Sequence, residues 1–217
     1  QSFSGKKVLI TAGPTYEALD PVRFLGNFSS GKMGFALAEA AADMGAEVFL
    51  VSGPSHLQTA NPDISLSRVQ SAEQMHARAL ELFPDMDVVI GAAAVADYRP
   101  ENKADQKIKK SGKTLEIKLV RNPDIIASLG AQKDKQYVVG FALETENELE
   151  YAQRKLREKH LDAIVLNSLN DPGAGFASET NKVTFIDKNS AITPFELKTK
   201  AEVARDILHE IHTRISE

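Results

Sequence analysis

GNFSSGKMGFALAEAAADMGAEVFLVS, residues 26–52, sets out a loop, a helix and a strand in immediate succession. The Ala-rich run Phe35–Met44 predicts a helix, and Gly45 suits its C-terminal stop. Glu47–Ser52 (EVFLVS) then reads as a buried strand that ends at Gly53-Pro54. Upstream, Lys7–Thr11 (KVLIT) is a second buried strand, followed by the turn residues Ala12-Gly13-Pro14-Thr15. Strand, helix and strand at this spacing predict a parallel sheet with right-handed crossovers and helices on both faces. In such sheets a ligand lies outside the carboxyl ends of the strands.

The alternation continues along the chain. Leu66–Val69 is a weaker strand, and Ser71 with Gln74 three residues on predicts a capping box for a helix over Ala72–Leu82. Val88–Ala93 is a further buried strand. Tyr98–Thr114 is polar and Lys-rich, a candidate mobile flap. Leu115–Val120 alternates as a strand, and Pro123-Asp124-Ile125-Ile126 opens a short helix. Strands over Tyr137–Ala142 and Ala163–Asn167 flank a charged helix, Glu146–Lys159. Lys182–Asp187 and Ile192–Leu197 predict an antiparallel pair around Lys188-Asn189-Ser190, before an amphipathic helix over Ala201–Ile215. The expected fold is α/β, a Rossmann-like three-layer arrangement with a mainly parallel sheet and a C-terminal antiparallel extension. No linker divides residues 1–217, so one domain is expected.

The loop Gly26–Gly34 carries the first chemical signal. Unpaired backbone N–H groups at a helix N-terminus favour phosphate; glycines admit close approach, serines add donors and Lys32 adds charge. Gly26-x-x-x-x-Gly31-Lys32 nearly matches a P-loop, but Met33 stands where a Ser or Thr would hold Mg²⁺. A P-loop also follows its strand directly, whereas Ala12–Leu25 intervenes here. The P-loop reading therefore fails. The segment equally suits an ordinary helix start with Ser30 as N-cap, and Asn27 equally suits a turn former.

Composition narrows the classes. Hydrophobic residues make up 42% and charged residues 26% of 217, near the averages for a globular protein. A net charge of −4 gives no reason to expect a nucleic-acid surface. With no Cys there is no disulfide and no thiolate metal site. His209 and His212 lie three apart without a clear third ligand, so no metal site is expected from the protein. No apolar run approaches a membrane span of ~20 residues. The start has no apolar signal core, so cytoplasmic is the default, and the missing initiator Met suggests an excised domain.

Six motifs, taken in order, resemble bacterial phosphopantothenate–cysteine ligase over nearly the whole chain, from Lys6 to about Ile215. They are Thr11–Glu17 (TAGPTYE), Asp20–Phe24 (DPVRF), Asn27–Gly34 (NFSSGKMG), Ala92–Tyr98 (AAAVADY), Lys107–Lys110 (KIKK) and Asn122–Ile125 (NPDI). Each alone is weak; six in order are specific. The resemblance implies a ligase in which 4′-phosphopantothenate attacks the α-phosphate of CTP, releasing pyrophosphate. L-cysteine then attacks the acyl-cytidylate, releasing CMP. Mg²⁺ is expected with the triphosphate, held mostly by phosphates and water. The family is dimeric, with substrate sites near the subunit interface, and is often fused behind a flavin-dependent decarboxylase domain. At Phe28 other members can carry His.

By similarity, Gly13, Ser29, Gly31 and Gly34 line the triphosphate site, and Asn27 serves the acyl-cytidylate and its reaction with cysteine. Arg23 is a candidate phosphopantothenate contact, and Ala94 faces the same substrate. Lys107 matches the family's flap lysine, although by itself it reads as part of a solvated Lys-rich loop with Lys109, Lys110 and Lys113. Asp97 matches a base-contacting position; Gly91, Ala92 and Ala93 let a base or ribose lie on backbone, and equally suit a buried strand. Pro123, Asp124, Ile125, Ile126, Phe141, Lys155 and Lys159 match nucleotide contacts, although Phe141 alone reads as core.

Two other classes share parts of this pattern. Tyr151-x-x-x-Lys155 spells the catalytic pair of short-chain NAD(P)-dependent dehydrogenases. Those enzymes carry a glycine series in the first turn and a Ser about 13 residues before the Tyr, in a dinucleotide fold. Here the turn is Thr11-Ala12-Gly13-Pro14, and Val138 takes the Ser position. A non-catalytic nucleotide-binding module is the third reading, disfavoured by Asn27 and Lys107.

Overall fold

Val8–Ala12 is buried along its whole length, as a strand with neighbours on both edges and helices on both faces must be. The computed structural model describes residues 2–110, 112–144, 146–168 and 178–216. Eight strands make the main sheet: β1 Lys7–Ala12, β2 Glu47–Ser52, β3 Ile64–Arg68, β4 Val88–Gly91, β5 Tyr137–Glu144, β6 Ala163–Ser168, β7 Val183–Asp187 and β8 Ile192–Pro194. Their order in space is β8-β7-β6-β5-β4-β1-β2-β3. Strands β1 to β6 pair in parallel, and β7 and β8 add an antiparallel edge. The order reverses between β1 and β4, the topological switch point at which such sheets bind ligands.

Among the described residues five α-helices cover the sheet: α1 Lys32–Asp43, α2 Ala72–Leu82, α3 Ile125–Gln132, α4 Glu148–Glu158 and α5 Lys200–Ile215. The period-2 alternation of β1 divides two cores. Val8, Ile10 and Ala12 join Leu37, Ala41, Ile207 and Leu208 of α1 and α5. Leu9 joins Met75, Leu129 and Leu156 of α2, α3 and α4 on the other face. The capping box at Ser71 and Gln74 is present, and α2 has the expected bounds.

Three short antiparallel pairs decorate this frame. Tyr16–Ala18 with Phe24–Gly26, and Thr180–Asn181 with Lys198–Thr199, are additions to the elements expected from sequence. The third, Tyr98–Pro100 with Leu119–Arg121, corrects one. The strand expected over Leu115–Val120 is confined to Leu119–Arg121. Leu115, Ile117 and Leu119 are 56%, 38% and 42% exposed, so the alternation is not backed by a core. A two-stranded ladder has no second layer for that apolar face.

The entry to α1 departs from the Ser30 cap. Gly31 is the N-cap, at φ 85°, with no side-chain cap, and the helix begins at Lys32, three residues before Phe35. That left-handed backbone suits glycine. One turn on, Gly34 lies against β1: a Cβ there would sit 2.4 Å from the Cβ of Ala12. A methyl group at Gly34 must therefore displace α1 from β1. Gly34→Ala is expected to lower stability by about 1–3 kcal/mol, the usual cost of overpacking a filled core. Urea unfolding checks this, and an unchanged midpoint would mean that α1 and β1 separate freely.

Candidate functional site

The carboxyl end of β1 continues as Thr11–Glu17, threaded between two other loops by main-chain bonds. Gly53 N donates to Ala12 O at 3.0 Å, Ala92 N to Thr11 O at 3.1 Å and Ala94 N to Gly13 O at 2.9 Å. The buried Thr15 Oγ1 accepts from Ala96 N at 2.9 Å. Glu17, also buried, accepts from Ala72 N at 2.8 Å, placing a carboxylate at the N-terminus of α2. This lattice fixes residues 92–96 beside the Gly-Ser loop. Asn27 Nδ2 donates across the gap to Ala94 O at 3.0 Å.

Two clefts open over these strand ends. The larger, of about 450 Å³, is floored by Gly91 and Ala93 and walled by Pro123–Ile126, with Asp97 and Lys159 at its rim. The smaller, of about 140 Å³, lies against Ser29, Gly31 and Gly34 on one side and Ala92–Ala94 on the other. Ala93 and Phe141 line both, so the clefts meet at the switch point. Small residues keep the floor low: a Cβ on Gly91 would lie 2.9 Å from Ile126 Cδ1. Asp124 caps α3 through Ala127 N at 3.1 Å and pairs with Lys159 at 2.9 Å, so two of the expected nucleotide contacts neutralise each other at the rim.

Five expected residues lie outside both clefts. Gly13 sits behind the Gly-Ser loop, its Cα 3.3 Å from where a Cβ on Gly31 would be. Asn27 is exposed, bound to Ala94 O. Lys155 pairs with Glu144 at the end of β5, at 2.7 Å. Lys107 is exposed on the Lys-rich loop. Arg23 lines a separate groove of about 260 Å³ with Ile108 and Lys109, Lys110 and Lys113.

Other residues of the clefts, Lys32 apart, carried no local signal. Asn122, ahead of Pro123, donates to Ala96 O at 2.7 Å and accepts from Arg99 at 3.1 Å, tying the two walls of the larger cleft. In the smaller cleft Lys32, Asn167, Asn181 and Lys200 converge from α1, β6, the short strand Thr180–Asn181 and α5. Lys200 is only 7% exposed, and burial and the nearby Lys32 charge push its ammonium down from the usual lysine value. Glu179 is pulled below the usual carboxylate value by its hydrogen bond from Lys32. Asn167 Oδ1 is buried without a hydrogen-bond partner among the described residues. Among those residues no group of three or more His, Asp or Glu side chains is placed to hold a metal ion, and no helix is long and apolar enough to cross a membrane.

A Rossmann-like sheet with paired clefts at its switch point defines a mononucleotide-binding class of α/β protein. Within that class, residues 3–215 match the family model for the DNA/pantothenate metabolism flavoprotein C-terminal domain, and the chain belongs to this family. The crystal structure of the C-terminal domain of the coenzyme A biosynthesis bifunctional protein CoaBC superposes with a TM-score of 0.85 at 44% identity, covering 99% of this chain and 98% of that one. CoaBC of Vibrio cholerae is 48% identical over 216 residues, 97% of this chain and 53% of that protein. A protein from an unknown prokaryotic organism, named cysteine/cysteine sulfinic acid decarboxylase, is 53% identical over 214 residues, 98% of this chain and 60% of that protein. The chain thus spans between half and two thirds of the length of these curated relatives.

The threaded loops predict a specific weakness. Thr15→Val keeps the shape of the side chain but leaves the buried Ala96 N–H without its acceptor, a loss expected to cost about 1–3 kcal/mol. Thermal unfolding measures it; a variant as stable as the parent would show that Ala96 N–H finds another acceptor.

Proposed function

We propose that the chain is the ligase unit that joins 4′-phosphopantothenate to L-cysteine at the expense of CTP. The observation that carries this reading is the pair of clefts meeting at Ala93 and Phe141, one with a base-sized floor, the other against a helix-start loop. Membership of the pantothenate-metabolism family and the likeness to CoaBC support it.

In this reading the cytosine lies over Gly91–Ala93 with Asp97 accepting from its amino group, and Pro123–Ile126 cover the nucleoside. The triphosphate runs to the second cleft, where the backbone N–H groups at the start of α1, with Ser29, Gly31 and Gly34, meet its charge. The carboxylate of phosphopantothenate attacks the α-phosphorus, the bond to the β-phosphate oxygen breaks, and pyrophosphate leaves. Lys107, carried on its loop, neutralises charge gathering on the α-phosphate in that step. Lys155 and Lys159 serve the nucleotide by exchanging Glu144 and Asp124 for phosphate or ribose oxygens. The amine of cysteine then attacks the acyl carbon, CMP leaves, and the amine loses a proton. Asn27, beside Ala94, holds the acyl-cytidylate for this second attack. Arg23 is the phosphopantothenate contact. Mg²⁺ would add charge neutralisation at the triphosphate, held by phosphate oxygens and water. The lysine-bearing second cleft suits a metal-bound anion rather than a bare cation.

A homodimer belongs to the same proposal. Val22, on the hairpin loop that carries Arg23, is 61% exposed, Phe28 beyond that hairpin is 97% exposed, and Leu115 and Ile117 are also exposed. A second copy covering these side chains would remove them from water.

Pyrophosphate release with phosphopantothenate, comparing CTP with ATP, with and without cysteine, tests the reading. Release that depends on a nucleoside triphosphate and on phosphopantothenate is expected. Loss of CO₂ from cysteine without nucleotide would instead favour the decarboxylase named for one relative. Asn27→Asp is expected to leave nucleotide binding within about threefold, less than 1 kcal/mol, while abolishing amide formation. Undiminished product would remove Asn27 from the second step. Lys107→Gln is expected to slow acyl-cytidylate formation at least tenfold, about 1.4 kcal/mol of barrier, in a single-turnover pyrophosphate assay. A parental rate would make Lys107 a solvated bystander.

A further inference from the structure

The motif Asp20–Phe24 contains a second charged residue besides Arg23. Asp20 is 2% exposed, although it lies in a surface hairpin loop between Tyr16–Ala18 and Phe24–Gly26. A buried carboxylate there needs several donors, and it has them. Its Oδ1 accepts from Val22 N at 2.9 Å and Arg23 N at 2.8 Å. Its Oδ2 accepts from Arg23 Nε at 3.1 Å and Nη2 at 2.5 Å. The same Oδ2 accepts from a distant segment: Ile108 N donates to it at 3.1 Å. Arg23 Nη2 completes the triangle by donating to Ile108 O at 2.9 Å. Nearby, Ala104 N donates to Leu19 O at 2.9 Å.

Ile108 is the residue next to Lys107. Both polar groups of its backbone are therefore engaged, one by Asp20 and one by Arg23. Lys109, Lys110 and Lys113 are exposed and make no ion pair among the described residues, and the Asp20–Arg23–Ile108 contact ties the centre of the Lys-rich loop to the hairpin. The Arg23 guanidinium holds the Asp20 carboxyl well below the usual carboxylate range, against the opposing effect of burial, with the N–H groups of Val22, Ile108 and Arg23 helping. The carboxylate is thus ionised at neutral pH.

Building on the ligase reading, we propose that Asp20 is a positioning residue for the reaction. By holding the Arg23 guanidinium and the Ile108 backbone at once, it sets the phosphopantothenate contact and the Lys107 loop in one register. The two substrates of the first step are then met by a single unit rather than by two independent side chains. Asp20 touches neither substrate; it acts through Arg23 and Lys107.

The test uses the full chain with Asp20→Asn, which keeps the shape and removes the charge. Two effects are expected together: the KM for phosphopantothenate rises about tenfold, through Arg23, and single-turnover pyrophosphate release at saturating substrates falls about tenfold, through Lys107. The double variant Asp20→Asn/Lys107→Gln is expected to be no slower than Lys107→Gln alone, because both act on one element. Hydrogen exchange at the Ile108 amide is expected to quicken at least tenfold, while amides of β1 and β4 keep their protection. Parental KM and rate, or fully additive losses in the double variant, would overturn the proposal. Should Asp20→Asn fail to fold, Asp20→Glu, with the carboxylate displaced by one methylene, carries the same comparison with smaller losses expected. A parent enzyme that releases no pyrophosphate with any nucleoside triphosphate would instead defeat the ligase reading; an active parent with an unaffected Asp20→Asn defeats only this inference.

Discussion

The contact between Gly34 and Ala12 sets how the first helix meets the central sheet. α1 descends on the carboxyl end of β1 so closely that no side chain fits between them. The start of the helix is thereby held over the point where the strand order reverses. Gly31, in its left-handed conformation, turns the chain into that position without a side-chain cap. Ser29 Oγ and Ser30 Oγ accept from Gly31 N at 3.3 Å and Lys32 N at 3.4 Å, so the serines before the helix meet its first donors at long range.

Charge around the clefts follows a related logic. Lys155 with Glu144, and Lys159 with Asp124, are ion pairs between partly exposed groups, each worth little to stability. Because such pairs break cheaply, a multivalent phosphate can exchange for the carboxylates with small loss. Lys200 differs: its ammonium is buried, and burial and Lys32 both work against its charge. Glu179, which pairs with Lys32, works in the opposite direction. The two clefts therefore present cations of two kinds, easily exchanged at the rim of one and desolvated within the other.

Local chemistry was legible in sequence where it was complete within a few residues. The capping box at Ser71 and Gln74 needs only its own turn, and its helix has the expected bounds. Continuous apolar runs such as Lys7–Thr11 and Val88–Ala93 located the central strands within two residues, because burial on both faces leaves a strand no other composition. At Leu115–Val120 the same kind of pattern misled: alternation specifies a strand only where a core receives its apolar face, and here water does. Ser30 and Gly31 are both plausible caps by residue type, and only the backbone dihedral separates them. Most of the residues expected at the site, from Gly91 to Lys159, came from resemblance rather than pattern, and the fold gathers the majority around two clefts. Asn167, Asn181 and Lys200 were not legible, since long-range pairing of β6, α5 and two short strands brings them together.

Three buried acids, Glu17, Asp20 and Asp162, share one role, and it links the fold to the loops. Glu17 accepts from Ala72 N at the start of α2. Asp162 accepts from Val138 N at 2.9 Å and pairs with Lys133 and Lys188, fastening β5 to the loop before β6. Asp20 accepts from three backbone N–H groups as well as Arg23. A desolvated carboxylate is tolerated only when its oxygens are filled, so each such acid demands a particular geometry from the chain that supplies the donors. Hydrophobic contact could hold the same loops, but with no preferred register. Directional acceptors place them to within a fraction of an ångström, and so fix the surface loops that carry Arg23 and Lys107. Precision in these exposed segments thus rests on the few charges the fold has taken out of water.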